Sequence, residues 1–184
     1  MKIAVYGSAA GDIPEKVREL AREIGRQIAL RGHILITGGC PGLPYEAVLG
    51  ANEMNGRVIG FSPAVNEDNH IHQFRFPLEG FSKLMFVPDN YQFVDNKKAC
   101  LKYRNISSVV YCDCAVIISG RCGTINELTI AYDLGKNIGV LSGTGGISKF
   151  IKTLIDDWNK PTSSHIIYES NPKKLIVRLE EITK

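Results

Sequence analysis

Three short glycine-rich stretches of this 184-residue chain have the composition of anion-binding turns: Gly7-Ser8, Gly38-Gly39-Cys40-Pro41-Gly42 and Ser119-Gly120-Arg121-Cys122-Gly123-Thr124. Each follows a short apolar run and leads into a helical pattern. Glycine lets a ligand come close to the backbone, and the first amides of the following helix point at an anion with the helix dipole behind them. Thr124 adds a hydroxyl for a phosphate oxygen or a helix cap. One such turn alone indicates only a tight strand-to-helix connection. Three at the same sheet edge predict a phosphate site drawn from Gly7, Ser8, Gly38, Gly39, Gly42, Ser119, Gly120, Arg121, Cys122, Gly123 and Thr124.

The standard phosphate and nucleophile motifs are missing. No G-x-x-x-x-G-K-S/T pattern occurs, which argues against a nucleoside triphosphatase, and no G-x-G-x-x-G follows the first strand. A G-x-S-x-G elbow, which a serine hydrolase of the α/β type needs, does not occur either. His70-x-His72, beside Glu67 and Asp68, is a weak metal pattern; two histidines in a polar loop are expected to be solvated or to belong to a lid. Cys122 at a helix start beside Arg121 has the setting of a lowered thiol pKa, although a small turn residue is the simpler reading. Gly143-Thr144-Gly145-Gly146 either lines the site or caps a turn, and Tyr91, Phe93 and Tyr103 read as core or subunit contacts.

The elements that must position these residues alternate along the whole chain. Apolar strand runs are expected at 3–6, 33–37, 57–61, 84–87, 114–118, 138–141 and about 165–168. Helical periodicity covers about 14–30, with the cap near Asp12 or Ile13, then 44–54, 91–110, 124–134, 147–158 and 172–183. The strands are continuous apolar runs, the mark of strands buried on both faces. With helices between them, they predict a Rossmann-like, doubly wound α/β fold with a mostly parallel sheet and helices on both faces, formed by residues 1–184 as one domain. The polar stretch 62–82 is long for a connection and has the character of a binding loop or lid.

Composition narrows the partners. Lysine and arginine number 22 against 19 acidic residues, a net charge of +3 with no basic run, so nucleic acid is not expected. The N-terminus has no charged-then-apolar leader, and nowhere do about 18 apolar residues run together, so the expectation is a cytoplasmic protein without a membrane partner. The cysteines number 5, an odd count without an export signal, and are expected to be reduced. Cys112-x-Cys114 lacks the spacer and second pair of a zinc knuckle, so no metal is expected.

The stretch from Arg104-Asn105 through Asp113 to Ser119-Gly120-Arg121-Cys122-Gly123-Thr124-Ile125-Asn126-Glu127 resembles the LOG-like (lysine-decarboxylase-like) family. That family's signature is P-G-G-x-G-T-x-x-E, preceded by an arginine-lysine pair, and the spacing here matches without a gap. Gly38–Leu43 is similar to its first glycine motif, and the likeness extends over residues 1 to about 142. The resemblance implies a Rossmann-like fold, a homodimer, and a nucleotide or other phosphate-bearing ligand with no certain cofactor. It also implies phosphoribohydrolase chemistry, in which a nucleoside 5′-monophosphate yields free base and ribose 5-phosphate. Arg104 and Glu127 match that family's catalytic pair; the carboxylate would stabilise positive charge on the ribose and the arginine would hold the phosphate or departing base. Four positions depart from the signature: Ser119 for proline, Arg121 for glycine, Asn105 for lysine and Asn126 for the first of two glutamates. The arginine-asparagine pair looks more like a neighbouring branch that includes molybdenum-cofactor carrier proteins, which are binding proteins rather than proven hydrolases.

Overall fold

In the computed structural model, which describes residues 1–158 and 160–183, strands and helices alternate throughout. The order is β1 (Lys2–Gly7), α1 (Glu15–Leu30), β2 (Ile34–Thr37), α2 (Leu43–Glu53), β3 (Val58–Phe61), β4 (Lys83–Met85), α3 (Lys97–Tyr111), β5 (Cys114–Ile118), α4 (Cys122–Asp133), β6 (Asn137–Leu141), α5 (Ile151–Trp158), β7 (Ile166–Glu169) and α6 (Pro172–Thr183). The strands form one sheet in the order β4-β3-β2-β1-β5-β6-β7. Every neighbouring pair is parallel. This is the expected Rossmann-like α/β architecture.

Side-chain alternation along the strands divides the core in two. Ile3 and Val5 of β1, with Cys114, Val116 and Ile118 of β5, pack against α1, α2 and α6. Ala4, Tyr6, Ala115 and Ile117 point the other way, onto Val109 of α3, Leu128 and Ala131 of α4 and Ile151 of α5. Both faces of the sheet are therefore dry, which explains the unbroken apolar runs in its central strands. The winding runs outward from β1 to β4, then restarts at β5 on the other side of β1. The point where it reverses lies between the C-terminal ends of β1 and β5, and open sheets of this type leave a crevice there.

Three expectations need correction. The helix expected from residue 91 starts at Lys97, because the Asn96 side chain accepts the amides of Lys98 (3.0 Å) and Ala99 (3.1 Å) and caps it. Tyr91 and Phe93 lie in turns ahead of the helix, where the Tyr91 ring meets those of Phe93 and Tyr103 with centroids 5.8 and 4.8 Å away. Helix α1 is capped at Pro14 rather than at Asp12 or Ile13, which leaves Gly11-Asp12 in the preceding loop. Within the long connection, Asn69–Gln73 forms a single π-helical turn and His70 is fully buried, not solvated. Ser62 Oγ lies 2.8 Å from His70 Nδ1, and Nε2 donates to the Pro77 carbonyl at 2.9 Å. A carbonyl can only accept, so Nε2 carries a proton. His70 is thus a structural pin for this loop, whereas His72 is exposed and pairs with Asp68. No helix among the described residues is long and apolar enough to cross a membrane.

Candidate functional site

A cleft opens at the switch point. The end of β1 supplies Tyr6, Gly7 and Ser8; the turn after β2 supplies Gly38 and Cys40; α3 supplies Arg104; the first turns of α4 supply Arg121, Gly123, Thr124 and Glu127. Backbone proximity explains the first glycine. Gly7 pairs with Ile118 across the sheet, and a Cβ there would sit 2.5 Å from the Ile118 carbonyl oxygen.

The turn after β2 is built around Arg104. Its Nη1 donates to the Gly38 carbonyl at 2.9 Å, in a buried setting, and a side chain on Gly38 would run into the same guanidinium nitrogen. Arg104 is 8% exposed, and its Nε has no hydrogen-bond partner among the described residues. Opposite it in charge, Glu127 is 6% exposed, and no hydrogen bond from a described group reaches its carboxylate. Burial pushes the Glu127 carboxyl up to about 7, with Arg104 and Lys102 pulling in the other direction. Two ionisable side chains on adjacent helices thus line one cleft with unused hydrogen-bonding capacity. Cys40, between them in the lining, is kept a thiol: burial raises its pKa more than Arg104 lowers it.

The three glycine turns differ in what they leave free. After β2, the Gly39 amide donates to Thr37 Oγ1, the Leu43 amide donates to the Ser8 carbonyl, and Pro44 has none to offer. Gly39 and Gly42 therefore shape the turn without lining the cleft; Gly42 has φ 79°, and a Cβ on it would run into the Ser8 carbonyl. After β5, the Ser119 amide is taken by Thr144 Oγ1 (2.8 Å) and the Gly120 amide by Ser8 Oγ (3.1 Å). Arg121 then caps α4 with extended backbone and no side-chain capping bond. The amides of Cys122, Gly123 and Thr124 belong to a first turn, where no intrahelical partner exists. Nothing lies within 4 Å of the place a Gly123 Cβ would take, so this side of the turn is open. Among the three turns, this helix start has the geometry that suits an anion. Cys122 is exposed and lines no cavity described here.

Departures from the family signature have structural counterparts. Ser119 has φ 55°. Proline is held near −65°, so the residue it replaces could not take this conformation. Asn105 Nδ2 donates to Asn126 Oδ1 at 2.9 Å, so the two changed amides face each other between α3 and α4. Sequence reading did not single out Tyr6, whose hydroxyl donates to Ser108 Oγ at 3.0 Å, or Cys40 as lining residues. Strand position carried the only available signal, since both adjoin glycines already assigned to the edge. Gly143–Gly146, left open between two roles, serves both: Thr144 ties down Ser119, and with Gly146 it lines a second cavity.

Comparison with known proteins agrees with this architecture. The family model of the SLOG cluster4 family matches residues 1–176. The chain belongs to that family. An uncharacterised protein of Archaeoglobus fulgidus is 28% identical over 141 residues, covering 77% of this chain and 80% of the relative. Among solved structures, TM1055 has a TM-score of 0.78 at 24% identity, covering 98% of both chains. The molybdenum cofactor binding protein of Rippkaea orientalis gives 0.74 at 20% identity, with 100% of this chain and 97% of that one covered. DNA processing protein A of Helicobacter pylori, described as binding single-stranded DNA, gives 0.67 at 16% identity over 98% and 80% of the two chains. At these identities the structural likenesses establish the fold. The site of this SLOG cluster4 member has to be argued from its own residues.

Proposed function

We propose that the switch-point cleft binds a small phosphate-bearing, nucleotide-like molecule and holds it without cleaving it. The observation that carries this reading is Arg104: a buried guanidinium lining the cleft, with an unpartnered Nε, close to a helix N-terminus whose amides are uncapped. A buried cation without a carboxylate bond costs free energy unless an anion completes it, and a phosphate supplies the acceptors. The likeness to a molybdenum cofactor binding protein supports a binding or carrier role and fits a phosphate-bearing pterin as one possible cargo. Non-hydrolytic binding is supported by the Asn105–Asn126 pair, which puts two neutral amides where the hydrolase signature has a lysine and a glutamate.

Phosphoribohydrolase activity is the second reading, favoured by one feature: Glu127 is unbonded, lines the cleft and has a pKa near 7. The two readings part in a single experiment. Purified protein is incubated with a panel of nucleoside 5′-monophosphates including AMP, with melting temperature and free base both followed. Ligand-dependent stabilisation without base release supports the carrier reading. Base release that disappears in Glu127→Ala would replace it with the hydrolase. No stabilisation by any member of the panel or by a molybdopterin would sink the binding reading.

A further inference from the structure

A further cavity, of about 170 Å³, lies between the long loop after β3 and the turns that lead into α3. It shares no lining residue with the switch-point cleft. The loop contributes Asn69, Gln73 and Phe74, and the α3 side contributes Asp95, Lys97 and Cys100. Both walls are held by hydrogen bonds. His70 ties the loop to Ser62 and Pro77, and Ser62 Oγ also accepts the Ala64 amide at 3.0 Å. Opposite, the Cys100 thiol donates to the Val94 carbonyl at 3.2 Å, one turn after the Asn96 cap. The loop also carries two uncommon conformations side by side, the π-helical turn Asn69–Gln73 and the left-handed Arg75 at φ 56°. Distortions of both kinds collect at functional sites. Within this frame four polar side chains are unused. Among the described residues, no hydrogen bond or ion pair engages the side chains of Asn69, Gln73, Asp95 or Lys97, and Asp95 and Lys97 do not pair with each other.

We propose that this cavity binds a small α-amino acid as its zwitterion, with the ammonium group on Asp95 and the carboxylate on Lys97. Charge selects the class. One unpaired anion and one unpaired cation line the same space, so a simple anion meets Asp95 and a simple cation meets Lys97, each with repulsion. A zwitterion gives both a charge-assisted hydrogen bond at once. The amides of Asn69 and Gln73 each offer donors and an acceptor for the protons and lone pairs left over. Phe74 leaves an apolar wall for a short side chain. Size decides between this ligand and a sugar, which the same amides and aromatic ring could also hold. At about 30 Å³ per water, the cavity has room for about six water-sized groups. An amino acid with a short side chain has about that many heavy atoms, and a hexose has about twice as many. The proposal is independent of what the switch-point cleft holds.

The test titrates the isotope-labelled full chain with L-alanine, L-serine, D-glucose, acetate and ethylammonium, and follows backbone amide shifts by NMR. Wild type is compared with Asp95→Asn, Lys97→Met and Gln73→Trp. All three positions are exposed, so the substitutions leave the core intact, and tryptophan at position 73 fills the cavity from its rim. Circular dichroism checks that each variant is folded. The expected result is saturable shifts from alanine or serine in residues 63–74 and 94–100. Asp95→Asn and Lys97→Met should each weaken that binding about tenfold or more, and Gln73→Trp should remove it. Acetate or ethylammonium binding as tightly as the amino acids would overturn the zwitterion in favour of a simple ion site. Tighter binding of glucose would overturn it in favour of a sugar site. No shifts from either amino acid, or amino-acid binding unaltered by both Asp95→Asn and Lys97→Met, would overturn the proposal outright.

Discussion

Glu127→Gln removes a charge from the cleft while keeping the size and shape of the side chain, so it isolates the cost of ionising a buried carboxyl. Burial raises that carboxyl from 4.5 to about 7 even with Arg104 nearby. Between those values the folded protein holds a proton that the unfolded chain has released. The wild type therefore loses stability as pH rises through this window, and the loss is complete above pH 7. At about 1.4 kcal/mol per pH unit, the loss comes to about 3 kcal/mol, with little solvent screening at a side chain so buried. For a chain of this length that is about 6–12 °C in melting temperature. Thermal melts of both proteins at pH 5 and pH 8 read the effect directly. The curves should nearly coincide at pH 5, and the variant should melt several degrees higher at pH 8. A variant that melts lower than wild type at pH 8 would refute the reasoning, because it would make Glu127 and Arg104 a net stabilising ion pair with no capacity left for a ligand.

Gly123→Ala should leave melting unchanged or raise it slightly, since its Cβ meets nothing within 4 Å and alanine is the better helix former by up to about 1 kcal/mol. AMP affinity, read by calorimetry, should nevertheless fall about tenfold as the methyl intrudes on the anion site. Gly38→Ala should do the opposite, displacing the Arg104 guanidinium, breaking its bond to the Gly38 carbonyl and costing about 1–3 kcal/mol in a denaturant titration. His70→Ala should cost about 2–4 kcal/mol, because it opens a hole and orphans the Pro77 carbonyl. Hydrogen exchange in residues 62–82 should rise ahead of exchange in the sheet. The homodimer implied by family resemblance has a natural seam in Ile106 and Val110 of α3, which are 52% and 57% exposed one turn apart; light scattering should show Ile106→Glu with Val110→Glu as a monomer and wild type as a dimer.

The fold was legible because one physical cause wrote it twice. Parallel strands covered on both faces must be apolar throughout, and the helices between them must be amphipathic, so position and type of almost every element follow from hydrophobic pattern alone. What pattern could not carry were features set by single hydrogen bonds. Asn96 starts α3 six residues later than periodicity suggests, because a capping amide has no hydrophobic signature. The two nitrogens of His70 find Ser62 and Pro77 only once the loop closes, and in sequence such a histidine looks the same as a solvated one. Arg104 and Glu127 were legible through spacing within a family signature, whereas the division of labour among the glycine turns was not. Gly38, Gly42 and Gly123 read alike in a sequence, yet one shelters a guanidinium, one lets a carbonyl pass and one borders open space.

That division bears on how the altered signature is read. If the changes were decay of a hydrolase site, they would leave unrelated defects, such as a strained loop without support or a lone amide facing a charge. The structure holds mutually consistent replacements instead. The left-handed Ser119 is anchored through its amide by Thr144, and through its carbonyl by the Ser148 amide at 3.2 Å. Such support is what holds a residue in a sparsely populated conformation against a cost on the order of 1–3 kcal/mol. Asn105 Nδ2 donates to Asn126 Oδ1, so the two departures meet in one hydrogen bond. Arg121 adds a cation at the border of two cavities rather than plugging either, since both remain open beside it. A loop rebuilt in three linked places, with the buried Arg104 and Glu127 kept, is better explained by a changed ligand and a retained site than by a site that has been lost.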